Sequence, residues 1–82
     1  MIKKDEALLN VADNLSRIME SRGIGVRELA RHSENDPMTV SRLVRKIHMP
    51  SADSLYRIAQ YLNIKLDALF ATPRKKNKKK SA

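Results

Sequence analysis

Apolar residues recur at three- and four-residue spacing along most of this chain, in short runs that stop and restart at recognisable signals. The first run places Leu8, Val11, Ala12, Leu15, Ile18 and Met19 on one stripe, which predicts a helix over 7–22. It stops at Gly23, suited to the left-handed position after a helix, with Ile24 as the apolar residue that usually follows. Gly25 is then an acceptable N-cap, and Val26, Leu29 and Ala30 mark a second helix over 26–32. Further on, Ser51 caps a helix over 52–62 whose stripe is Leu55, Ile58, Ala59 and Leu62. A last short helix, 66–71, carries Leu66, Leu69 and Phe70. With 4% aromatics and two glycines, an all-β sandwich with many turns is disfavoured, and the expected class is all-α.

The stretch SENDPMTVSRLVRK, residues 33–46, is the one place where the signals conflict. A proline inside a helix costs about 3 kcal/mol, but at the first helical position its missing N–H had no partner to lose. Asp36 stands immediately before Pro37, and an aspartate there can accept from an early amide and favours the positive helix end. Asp-Pro is therefore a start signal, and a third helix is expected over 37–46. Its inward face would be Val40, Leu43, Val44 and Ile47, leaving Thr39, Ser41, Arg42, Arg45 and Lys46 on the other sides. Met49-Pro50 ends the connection that follows, because the residue before a proline is pushed away from helical angles.

The 82 residues make one domain at most, with no room for a cleft between two lobes. No cysteine is present, so disulfides and thiolate metal sites are excluded. His32 and His48 have no neighbouring ligand residues, and Asp5, Glu6 and Asp13 belong to an exposed face with no partner base. There is no nucleophile–base pair, Gly-rich phosphate loop or metal set, so neither an enzyme nor a cofactor is expected. The N-terminus lacks the apolar core of a signal peptide and no run approaches a membrane span, which points to a cytoplasmic protein. Net charge is +8, and residues 74–80, RKKNKKK, hold six of the seventeen positive charges. Such a balance favours phosphate-bearing partners. The lysine-rich end is expected to be disordered, since like charges repel and nothing apolar is available to pack. It is open to use as a non-specific DNA arm or as a solubilising tail. The division expected is an N-terminal arm over 1–6, a domain over 7–73 and a basic tail over 74–82.

Two short helices, 26–32 and 37–46, separated by SEND and flanked by helices, suit a helix-turn-helix, in which the second helix enters the major groove. Residues 14–70 resemble the Cro/C1-type (XRE-like) helix-turn-helix family of phage repressors and bacterial regulators. The matching pieces are the Arg22-Gly23-Ile24 turn, Glu28-Leu29-Ala30 and Thr39-Val40-Ser41-Arg42-Leu43. The match continues through Pro50-Ser51, Leu55, Ile58-Ala59, Leu62 and Leu66-Asp67-Ala68-Leu69-Phe70.

The resemblance implies a compact five-helix, lambda-repressor-like domain that binds a palindromic operator in double-stranded DNA as a homodimer and controls transcription. It puts base-edge contacts at Pro37, Met38 and Arg42, with Thr39, Ser41 and Arg45 near bases or phosphates. Physical chemistry agrees at Arg42, whose guanidinium fork can bond O6 and N7 of guanine for about 1–3 kcal/mol of discrimination. Lys46 and His48 are phosphate candidates, and Arg27 takes the place of a phosphate-bonding glutamine common at the start of the second helix. Arg57, by contrast, is expected to be simply solvated. The dimer contact is implied at Leu66, Leu69, Phe70 and Ala71.

The chain also departs from the family pattern. Ser33, Glu34 and Asn35 occupy a turn that commonly contains glycine, and Asn35 is the residue there best able to take left-handed angles. Lys46 replaces a common glycine after the third helix, which predicts a slightly longer helix end. Two other functions stay open. One is an antitoxin-type module that binds a toxin partner and autoregulates its operon; the other is a non-specific, nucleoid-associated binder.

Overall fold

The structure is a computed structural model and describes residues 4–72; the expected basic tail over 74–82 lies outside the described residues. The described residues form five helices in chain order: α1 Lys4–Arg22, α2 Val26–His32, α3 Pro37–Val44, α4 Ala52–Leu62 and α5 Leu66–Phe70. No strand occurs among the described residues. The all-α expectation holds, with three boundaries moved. Helix α1 begins three residues before the apolar stripe implied, so residues 4–6 of the expected arm are helical. At the other end α5 is one residue shorter than expected. Helix α3 stops at Val44 rather than 46.

The last difference has a clear cause in how the helices end. After α1, α2, α3 and α4 the chain passes through one left-handed residue: Gly23 (φ 68°), Glu34 (58°), Lys46 (65°) and Asn63 (59°). Each time, the next amide reaches back five residues to a helix carbonyl: Ile24 to Met19 (2.9 Å), Asn35 to Ala30 (2.8 Å), Ile47 to Arg42 (2.8 Å) and Ile64 to Ala59 (3.0 Å). These are four Schellman closures, which satisfy carbonyls that a helix end otherwise leaves unpaired. Lys46 thus does not lengthen α3. It adopts the left-handed conformation itself. Glu34, not Asn35, does the same in the turn before α3, because α2 ends at Ser33 and the closing bond to Ala30 comes from the Asn35 amide, which puts Glu34 at the left-handed position.

The helix starts follow the capping signals. Asp36 accepts from the Met38 amide at 2.9 Å with Pro37 at the first helical position, and Ser51 accepts from the Ser54 amide at 3.2 Å. Each such cap contributes about 1 kcal/mol.

One core joins the helices: Val11, Leu15 and Met19 from α1, Leu29 and Ala30 from α2, and Val40 and Leu43 from α3. Helix α4 adds Leu55, Ile58, Ala59 and Leu62, and α5 adds Leu69. Fully buried leucines of this kind stabilise by roughly 1.5–3 kcal/mol each. Ile47, expected on the inward face, is 56% exposed, because the left-handed turn at Lys46 carries it off the α3 stripe.

Polar contacts tie the layers together where apolar packing ends. Asn14 is 5% exposed on the inward stripe of α1, and its Nδ2 donates to the carbonyls of Leu69 (2.8 Å) and Ala71 (2.7 Å), closing the end of α5. Arg17 in turn donates to Asn14 Oδ1 at 2.7 Å. Arg22 Nη1 reaches the last carbonyl of α4, on Leu62, at 2.8 Å. The His32 and Tyr61 rings stack with centroids 5.1 Å apart, joining α2 to α4.

Candidate nucleic-acid interface

Helices α2 and α3 pack on each other across a four-residue turn, and α3 also packs on α1, which presses its Val40–Leu43 side inward. The remaining surface of α3 must face out. Met38, Ser41, Arg42 and Arg45 fall at i, i+3, i+4 and i+7, so they form one stripe along the length of the helix and its cap. Met38 is 53% exposed, Arg42 and Arg45 are exposed, and Ser41 is half-buried. Pro37 is exposed at the helix start and Thr39 half-buried on its flank. An eight-residue helix is about 12 Å long, matched to a groove about 12 Å wide.

The charges on this face are available. Among the described residues, neither the Arg42 nor the Arg45 guanidinium has an intramolecular hydrogen-bond or ion-pair partner, and that of the exposed Arg27 on α2 has none either. Lys46 differs, since its Nζ lies 3.2 Å from a carboxylate oxygen of Asp13 on α1. Both side chains stay about half exposed, so the pair is a surface contact. His48 is exposed in the loop between α3 and α4. The structure therefore brings Met38, Ser41, Arg42 and Arg45 together on one outward stripe. It leaves Arg27 on the neighbouring helix, and Lys46 and His48 beyond the helix end.

The residues expected at a dimer contact divide. Leu69 is fully buried in its own chain and has no surface to offer a partner, which corrects the expectation for that residue. The physical reason is that Leu69 is the residue of α5 that the core encloses completely, so its side chain is spent on intrachain packing. Leu66 and Phe70 are half-buried against the core, and Ala71 is exposed.

Sequence reasoning missed the contacts of the turn itself. Ser33 is 2% exposed and its Oγ donates back to the Leu29 carbonyl at 2.7 Å. Asn35 Nδ2 donates to Ser33 Oγ at 3.0 Å and to the Ser54 carbonyl at 3.3 Å. Arg57, expected to be solvated, is instead paired through Nη1 with Asp53 and through Nη2 with Asn35 Oδ1. A signal was present: Ser33 and Asn35 stand in a turn without glycine, where polar side chains commonly bond nearby backbone.

A family model for the Cro/C1-type helix-turn-helix DNA-binding domain matches residues 14–75. No curated protein matches the chain, and no solved structure does.

Proposed function

The chain belongs to the Cro/C1-type helix-turn-helix DNA-binding domain family, and from that premise we propose that it is a sequence-specific transcriptional repressor acting as a homodimer on a palindromic operator. The observation that carries this reading is the outward stripe of α3, with Met38, Ser41, Arg42 and Arg45 in line and both arginines unpaired among the described residues. An arginine held on a helix with no internal partner meets the geometric need of guanine, two acceptors side by side in the major groove.

In this mechanism α3 lies in the major groove and α2 crosses the backbone. Arg42 reads a guanine, Met38 touches a thymine methyl, and Thr39, Ser41 and Arg45 contact bases or phosphates. Arg27, Lys46 and His48 hold phosphates on either side, while Pro37 offers an apolar edge and no donor. Two copies pair through Leu66, Phe70 and Ala71, leaving Leu69 to the core. A bound dimer blocks polymerase sterically. Among the described residues no helix is long and apolar enough to cross a membrane, which accords with action on DNA in the cytoplasm.

Selection from a random duplex library tests the proposal. The expected product is a palindrome whose half-sites lie about one helical turn apart, roughly 10 base pairs centre to centre. Recovery of no enriched sequence would overturn it in favour of non-specific binding.

A further inference from the structure

The recognition helix and α4 share the core through Val40 and Leu43 on one side and Leu55 and Ile58 on the other. What ties the turn before α3 to α4 is a chain of polar side chains. Asp53 holds Arg57, Arg57 Nη2 reaches Asn35 Oδ1 at 3.4 Å, and Asn35 Nδ2 divides its protons between Ser33 Oγ (3.0 Å) and the Ser54 carbonyl (3.3 Å). Ser33 passes the connection into α2 through the Leu29 carbonyl. Arg57 Nε is buried with no partner of its own, so the guanidinium is held there by its two ends at the expense of a desolvated N–H.

Asn35 sits two residues before Pro37, directly after left-handed Glu34. Its backbone amide closes α2 on Ala30 while its side chain grips α4. A turn with glycine would leave this junction free to pivot, because glycine has no side chain with which to hold a neighbour. Here the asparagine side chain bonds the turn at Ser33 and α4 at Ser54 and Arg57, while its backbone amide bonds α2 at Ala30.

We infer that Asn35, clasped between Ser33 and Arg57, is a positioning residue that sets the angle at which α3 presents Arg42 to DNA. The inference rests on the DNA-reading role proposed above. Base discrimination needs the guanidinium fork in register with two acceptors, whereas phosphate attraction tolerates displacement. Loosening the clasp therefore lowers specific affinity and spares non-specific affinity. A residue that only stabilised the fold would lower both together, through the folded fraction.

The experiment compares wild type with Asn35→Ala and Arg57→Gln, using the duplex enriched from the random library and a scrambled duplex of equal length. Circular dichroism at the assay temperature establishes that each variant is folded. For Asn35→Ala the ratio of specific to scrambled affinity should fall about tenfold, with scrambled affinity unchanged. Arg57→Gln, which removes the clasp from the α4 side, should lower the ratio in the same direction and serves if Asn35→Ala does not fold. A ratio equal to wild type in the folded variants overturns the positioning role while the regulator reading stands. If wild type itself shows no preferred duplex, the regulator reading fails and the positioning role with it.

Discussion

Lys46 Nζ lies 3.2 Å from the Asp13 carboxylate, so the left-handed residue that ends the recognition helix is tethered to the first helix of the domain. The contact joins a cation proposed to meet DNA phosphate to an acid on α1. Such an exposed pair contributes about 0–1 kcal/mol to stability, so its value to the fold is small. Its effect on binding is expected to be larger, because the acid competes with phosphate for the same ammonium.

Asp13→Asn should accordingly leave the unfolding midpoint nearly unchanged and tighten binding to all duplexes alike. If Lys46 then reaches a phosphate, the slope of log K against log salt should steepen by about 0.9. Fluorescence anisotropy over a salt series reads both quantities. An unchanged slope would place Lys46 away from the backbone.

Arg42→Ala should relax the preferred sequence at a single base position, worth about 1–3 kcal/mol, with little change in stability because the side chain is exposed and unpaired. Arg27→Ala should behave differently, weakening binding to every sequence and reducing the salt slope by about 1. Repeating the library selection with each variant separates the two. Enrichment of the wild-type sequence by Arg42→Ala would show that another residue reads the base.

Glu34→Gly should stabilise the domain. Left-handed angles cost an ordinary residue about 1–2 kcal/mol, of which the greater freedom of glycine in the unfolded chain takes back about 0.5–1 kcal/mol. A net gain of about 0.5–1 kcal/mol should raise the melting temperature by roughly 2–8 °C in a domain of this size. Asn63→Gly should gain less, since asparagine tolerates the same angles through its short polar side chain. Thermal melts followed by circular dichroism decide the order, and equal shifts would refute the strain argument.

Asn14→Ala should destabilise by about 1–3 kcal/mol, because the Leu69 carbonyl loses its donor while staying buried. Asn14→Asp should be worse, replacing a donor by a charge that faces two carbonyl oxygens. Urea unfolding measures both. The α5 amides should lose hydrogen-exchange protection first if this contact holds the helix in place.

Most of the helical skeleton was legible in the sequence because its signals are local. Asp36-Pro37 is read from two adjacent residues, and the α4 stripe of Leu55, Ile58, Ala59 and Leu62 from the helical repeat alone. The exposed stripe of α3 follows from the same repeat once Val40 and Leu43 are assigned inward. The errors fell where local preference and global closure compete. Asparagine is the better left-handed residue than glutamate, yet Glu34 takes those angles because α2 ends at Ser33 and the Asn35 amide closes it on Ala30. Ile47 continues the apolar spacing of α3, yet lies outside because the chain has already turned at Lys46.

By itself, then, the sequence determined the order of the helices, where α2 to α5 start and most of the face each turns inward. Those properties depend on residues within a turn or two of one another. Only the tertiary structure decided that Leu69 belongs to the core, that Asp13 holds Lys46, and that Asn14 and Arg57 act as ties between helices. These contacts join residues up to 57 positions apart, and a single polar side chain can serve such a contact only after packing has brought its partner within about 3 Å.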